Sequence, residues 1–338
     1  MSAAFALRWG EFVPGQRPHY AFLVAERDAT KLARELRMKA ILLTAYGDVD
    51  KLELRDVPDP APGPNQIRVR NASASINPVD WKLRSGALTA WMPLTLPAVL
   101  GRDASGVIDA VGPDVTAFKV GQRVLGLVNG AYAELVVAAT EAWAELPSGL
   151  DPIDAGALPL ALLTGAQLVE DAVPARHGEV MLVTGALGSV GRVAVFVAKS
   201  RGAKVWAGVR GKQRADAAAL GADGVVALDD DAEVAALPVL DCIADTVGGA
   251  TMARLLAKLK PGGVIGSIVG EPAGAKERGF VVRAILTHAD SKRLGELAAS
   301  VATGELVIPI AKKLPLSEAG QAQALAQKGA GGKVLLLT

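Results

Sequence analysis

VMLVTGALGSVGRVAVFVAK, residues 180–199, is an apolar run, a glycine-rich turn and a second apolar run in unbroken succession. The first run is short and valine-rich, as a buried strand is, and the second has the length and spacing of a helix. Gly185 can allow the tight turn off the strand. Gly188 leaves room for a pyrophosphate to approach the backbone, and Gly191 lets the new helix lie close to its own strand. The first N–H groups of that helix have no partner within it and face the anion. A glycine-rich turn alone marks only a bend; with these flanks it predicts a dinucleotide-binding βα unit.

Outward from this unit, strand and helix signals alternate. Strands are expected at 180–183, 204–207, 224–227, 241–244, 263–269 and 280–286, and alternation of this kind means βαβ units in a parallel sheet. Helical periodicity begins near residue 151, in DPIDAGALPLALLTGAQLVEDA. Upstream of it the chain reads as short strands at 40–44, 52–57, 66–75, 101–111, 121–127 and 131–137, separated by Pro/Gly clusters such as PDPAPGPN. That half is expected to be antiparallel and barrel-like. The tail returns to strand at 306–311, makes a helix at 317–327 and closes with LLLT after Lys333, a strand able to rejoin the first half.

Length and composition narrow the class. The 338 residues suggest two domains. Basic and acidic residues number 36 and 35, so no general attraction to nucleic acid or anionic membrane is expected. No apolar run is long enough to span a bilayer. The single cysteine, Cys242, excludes an intrachain disulfide and fits a reducing, cytoplasmic compartment. Residues 1–37 differ from the rest and read as an N-terminal extension, possible disorder included. AFLVA is too short for a signal peptide and is followed at once by charges.

With these stretches in place, the chain resembles a medium-chain dehydrogenase/reductase of the zinc-independent quinone oxidoreductase (zeta-crystallin-like) branch. The resemblance rests on SINPVDWKLRSG (75–86), LGRDASGVIDAVG (100–112), GQRVLGL (121–127), GAYAELVV, LPLALLTGAQ, the TGALGSVG turn, DTVGG and the terminal GKVLLL, in this order. It covers nearly everything after residue 37. It implies an α/β fold: a Rossmann doubly wound parallel sheet plus a GroES-like, β-barrel-type catalytic domain. The domains are then 38–158 with 305–338 (catalytic) and 159–304 (cofactor-binding), with substrate between them and a homodimer as the assembly.

Cofactor preference is read about 20 residues past the glycines, where a carboxylate would hold the ribose 2′-hydroxyl of NAD. Here the strand KVWAGV is followed by Arg210, Lys212 and Arg214, and no carboxylate. Cations there suit a 2′-phosphate, so the expected cofactor is NADPH, with Arg210 its foremost contact. By resemblance, Thr164 sits beside the nicotinamide, and Gly185, Gly188, Ser189, Val190 and Gly191 cradle the pyrophosphate. The turn containing Ser267 and Val269 presents backbone to the carboxamide. Lys333 reaches phosphate or ribose, or is a surface lysine.

A catalytic zinc needs about three protein ligands. The chain offers one Cys and three His (His19, His177, His288), and Arg102 stands where the zinc branch has histidine. No metal is expected, and Cys242, within an apolar strand, reads as a small buried hydrophobe. Without zinc, reduction of a polarised C=C or a quinone is easier than oxidation of an alcohol, because the acceptor is already electrophilic. The expected substrate is thus a small quinone or α,β-unsaturated carbonyl. The candidate catalytic residues are Asn77 and Asp80, from NPVDWK, and Tyr46; Tyr132 is a further hydroxyl. Asn-Pro is also an ordinary turn signal. Water or a cofactor ribose can equally supply the proton, so the general acid stays open. The competing reading is an NADP(H)-binding, non-catalytic redox-sensing or structural protein of the same fold.

Overall fold

The computed structural model describes residues 37–174 and 176–338. The expected extension, apart from Arg37, and His19 lie outside the described residues.

The parallel half is a six-stranded sheet of β9 (Val180–Thr184), β10 (Lys204–Val209), β11 (Gly224–Ala227), β12 (Leu240–Asp245), β13 (Leu259–Ser267) and β14 (Val281–Ala284). Its order is β11-β10-β9-β12-β13-β14 and every pairing is parallel. Numbered from β9 this is 3-2-1-4-5-6, the doubly wound arrangement, whose ligand crevice opens where the winding reverses, between β9 and β12. In β9 the residues Met181 to Thr184 are all buried, as a strand covered on both faces requires. The helix Ser189–Ser200 buries Val193, Ala194, Val197 and Ala198, one stripe at helical spacing.

The first half forms β1 (Arg37–Leu43), β2 (Leu52–Pro58), β3 (Gln66–Ser75), β4 (Ala98–Val99), β5 (Asp103–Val111), β6 (Arg123–Leu127), β7 (Leu135–Ala139) and β8 (Trp143–Glu145). Strand β3 alternates, burying Ile67 and Val69 while Arg68 and Arg70 pair with Asp109 on the other face. The closing strand β16 (Lys333–Leu337) lies antiparallel to β3, and β15 (Ile310–Pro315) adds to it in parallel. The resulting seven-stranded sheet runs β15-β16-β3-β5-β6-β8 with β7 on β3. The strands of the first half pair antiparallel with one another, as expected, and the tail adds the parallel pair β15·β16, so the sheet as a whole is mixed.

The strand expected at 306–311 begins only at Ile310. Proline at 309 lacks an N–H and Val307 is exposed, so the ladder starts after them, with the Pro309 carbonyl accepting from Lys333 N at 2.8 Å. Two short strands, β4 and β8, went unanticipated. A core of Ile41, Ile67, Val69, Ile108, Trp143 and Leu336 fills the first half. A second runs without a break from Leu125 and Leu335 to Leu162, Met181, Val193 and Leu297, so the two halves share buried surface.

Candidate active site

At the crest of β9, Gly185 has φ +61°, and a Cβ there would stand 2.5 Å from the Thr246 hydroxyl. Gly191 carries the second constraint: its Cβ would meet the Gly185 carbonyl oxygen at 2.2 Å. Only glycine at both positions lets the turn close and the helix follow its strand this tightly. Gly188 caps that helix and is exposed, with Ser189 and Val190 half-buried behind it; the first turn carries no acidic residue. Twelve residues of helix thus end in free N–H groups at the switch point.

Beside this turn lies a group the sequence reading did not single out. Asp245, closed to solvent at the end of β12, accepts from the Thr184 hydroxyl at 2.8 Å and from Val247 N and Gly248 N at 3.0 Å each. Its other oxygen accepts from the Ser267 hydroxyl at 3.2 Å, and Ser267 in turn accepts from Val269 N at 3.2 Å. One carboxylate therefore shapes the ends of β9, β12 and β13. The signal was its place in DTVGG, a strand end opening into glycines.

At the end of β10, Arg210, Lys212 and Arg214 are all exposed. Arg214 is held by Glu233 Oε2, which also accepts from Ala227 N at 2.8 Å. Neither Arg210 nor Lys212 has an ion-pair partner among the described residues.

Thr164 sits on the helix Pro159–Gln167 and its hydroxyl meets that of Thr287 at 2.8 Å. One turn on, the Gln167 amide exchanges two bonds with the His288 backbone, at 2.8 and 3.1 Å. Glu170 then pairs with Arg293 at 2.6 Å. This row ties the helix to the segment leaving the parallel sheet.

The remaining candidates meet in the first half. Pro78 starts the helix Pro78–Arg84, and Asp80 reaches back to accept from Asn77 N at 2.7 Å. Asp80 Oδ2 also accepts the Tyr132 hydroxyl at 2.8 Å, while its Oδ1 is buried without a partner. Burial is the main cause that pushes the Asp80 carboxyl up to about 7, with the Asp103 charge adding and the Asn77, Tyr132 and Lys333 contacts opposing. Burial first, and then Asp80, hold the Tyr132 phenol well above its usual range.

Asn77 is 4% exposed and both ends of its carboxamide are engaged. Oδ1 accepts from Lys333 Nζ at 2.7 Å, and Nδ2 donates to Asp103 Oδ2 at 2.8 Å. Lys333 is buried too, its ammonium 3.4 Å from Asp103. It is an interior cation, not a surface one. Tyr46 stands apart from this network: its hydroxyl accepts from Leu94 N at 3.0 Å, clasping the loop 88–97, where Trp91 is 86% exposed and Met92 packs on the first core.

No three His, Cys, Asp or Glu side chains gather as a metal-ligating set among the described residues. His177 packs against Gly202, and His288 is exposed on the Gln167 side. Cys242 is buried in β12, and burial pushes its thiol up to about 12. No described helix is long and apolar enough to cross a membrane.

The alcohol dehydrogenase GroES-like domain family matches residues 63–148, and the zinc-binding dehydrogenase family matches 220–336. A quinone oxidoreductase of Pseudomonas aeruginosa is 33% identical over 327 residues, spanning 88% of this chain and 99% of that protein. The chain belongs to the medium-chain dehydrogenase/reductase superfamily. Within it, a quinone oxidoreductase of Sus scrofa is 29% identical over 324 residues, 89% of this chain and 98% of its own length. The solved quinone oxidoreductase of Coxiella burnetii superposes with a TM-score of 0.80 at 30% identity, covering 89% and 99% of the two chains. A structure described as an NAD-dependent alcohol dehydrogenase does so with a TM-score of 0.80 at 29% identity, covering 89% and 100%. Membership makes the chain an oxidoreductase of this superfamily and implies a nicotinamide cofactor.

Proposed function

We propose that the chain is an NADPH-dependent, zinc-free oxidoreductase that reduces a small quinone or α,β-unsaturated carbonyl. The observation that carries the cofactor choice is the end of β10: two exposed cations without ion-pair partners among the described residues, Arg210 and Lys212, and no carboxylate on residues 204–214, while Asp229 from beyond β11 is engaged by Gly211 N at 2.7 Å. The residues present fit a dinucleotide. Gly185 and Gly191 leave a bare backbone cradle, and the helix behind it offers N–H groups with no acid in its first turn. Bound NADPH would supply the hydride. Ser189 and Val190 would hold its pyrophosphate through backbone, Ser267 and Val269 its carboxamide side, and Thr164 the nicotinamide flank.

The donor set also supports a zinc-free site. The described histidines and the one cysteine lie on separate elements, none beside Asn77 or Arg102. In this reading residues 38–158 with 305–338 form the catalytic part and 159–304 the cofactor part. The homodimer is supported by β14, an edge strand bearing exposed Val281 and followed by Leu286, 79% exposed. Light scattering tests it, and a monomeric mass would remove it.

One observation favours the second reading, an NADP(H)-binding protein without turnover: Asp80 and Tyr132 are closed to solvent and Asn77 has its donors engaged. Purified protein mixed with NADPH or NADH and a panel of quinones and enones separates the two. Loss of reduced-cofactor absorbance with NADPH, well above that with NADH, supports the reductase. Tight NADPH binding without turnover moves the chain to the second reading. Absence of binding to either dinucleotide removes both.

A further inference from the structure

Asp103, the first residue of β5, is fully buried and accepts four hydrogen bonds. Its Oδ1 takes Leu160 N at 2.6 Å, in the first turn of the helix that carries Thr164 one turn later. Its Oδ2 takes Asn77 Nδ2 at 2.8 Å, the Lys333 ammonium at 3.4 Å and the Ser75 hydroxyl. These partners lie on β3, the turn before the helix Pro78–Arg84, the helix Pro159–Gln167 and β16, elements gathered from both ends of the described chain.

The donor and acceptor pattern leaves the network one arrangement. An ammonium can only donate, so Asn77 must turn its carbonyl toward Lys333. The carboxylate can only accept, so the NH2 of Asn77 must turn toward Asp103. The same charge offsets that of Lys333 in a site closed to solvent, where an unpaired ammonium would be costly. With Asp103 removed, the amide of Asn77, the amine of Lys333 and the start of the Thr164 helix each lose their fixed partner.

We propose that Asp103 is the positioning residue of the nicotinamide pocket, holding Asn77, Lys333 and the Thr164 helix in one register. The proposal rests on the reading that these three face the cofactor. Asp103 touches neither cofactor nor acceptor; it acts through the residues it holds. The family match at 63–148 spans it, but its signal in the sequence was only the D of GRD, read there for the histidine missing at Arg102.

The test is Asp103→Asn, which keeps the shape but turns one donor toward other donors whichever way the amide lies. At saturating NADPH, kcat per bound cofactor should fall about 10-fold or more, while cofactor Kd changes no more than about threefold, as lost alignment predicts. A merely structural role would lower the fraction of protein that binds cofactor and leave kcat per bound cofactor intact. Asp103→Glu, which keeps the charge, should recover part of the rate.

A second readout needs no turnover. Acetic anhydride labelling of Lys333, followed by mass spectrometry and normalised to exposed Lys212, should speed up about fivefold in Asp103→Asn, since a buried amine that has lost its fixed partner leaves the network and meets the reagent more often. Wild-type labelling of Lys333, or wild-type kcat per bound cofactor, overturns the proposal. If the parent protein turns over no acceptor, the reductase reading falls and labelling alone decides the role of Asp103. If circular dichroism shows Asp103→Asn unfolded, Ser75→Ala, which removes one of the four donors, is read in the same two ways.

Discussion

The Tyr132 hydroxyl donates to Asp80 Oδ2 at 2.8 Å where neither side chain is open to water. The same oxygen takes the N–H of Asn77, so the turn that opens NPVDWK is fixed from beneath. The two residues of the sequence motif are thus joined by a support, and a titratable one.

Asp80 carries a pH signature. Its carboxyl stands at about 7 in the fold against an ordinary 3.8, chiefly through burial, so the native state binds the proton more tightly than the unfolded chain. Its stabilising share is fully present below the ordinary value and is lost as pH rises through about 7. Asp80→Asn, which cannot ionise, should gain on the parent protein across that window, by at most about 4 kcal/mol. Urea midpoints of both proteins across the window measure this; parallel curves would contradict it.

Gly191→Ala would drive a methyl into the Gly185 carbonyl oxygen, 2.2 Å from the ideal Cβ position. The clash is with backbone, so the helix must move off its strand. A loss of about 1–3 kcal/mol in stability is expected, as for other overpacked sites. Dinucleotide binding, followed by fluorescence titration, should weaken as well. Thermal melts report the first effect separately from the second.

Arg210→Ala should raise the Kd for NADPH about 10-fold or more and leave that for NADH nearly unchanged, since only the former brings a 2′-phosphate. Arg214→Ala should do less to this ratio, because its guanidinium is held by Glu233. Paired titrations with the two cofactors give the ratio directly. An equal loss for both would remove the assignment of this corner to the phosphate.

Tyr46→Phe separates a clasp from an acid. The hydroxyl accepts from Leu94 N at 3.0 Å, so its removal frees the loop 88–97. Acceptor KM should rise severalfold with kcat within about twofold, the pattern of lost positioning of a loop rather than of a lost proton donor. A fall in kcat of about 100-fold or more would instead make Tyr46 the general acid.

How much of this was legible depended on where the constraint is local. The glycine turn and its flanks are contiguous, so Gly185, Gly188 and Gly191 marked the βα unit locally, and the strand–helix alternation after them made the parallel sheet legible. The closing strand was legible too, because LLLT is a short apolar run after glycines. The start of β15 was not: residues 306–309 look like strand, but Pro309 lacks an N–H and the ladder with β16 begins after it. Asp103 and Asp245 were visible as letters in motifs but not as hubs. Their partners come from strands and turns scattered along the chain, and spacing says nothing about which of them face one another. Lys333 was read as an arm toward the cofactor or a surface lysine. Its burial beside Asn77 depends on β16 lying against β3, a pairing outside the reach of any local pattern.

That same pairing bears on how the molecule is made. Leu336 sits opposite Ala74, so that edge of β3 waits for a strand remote from it in sequence. The six parallel strands, all lying between 180 and 284, can condense first. The slow event in renaturation should be the joining of these two distant segments, and until then an open β-edge is exposed to misassociation.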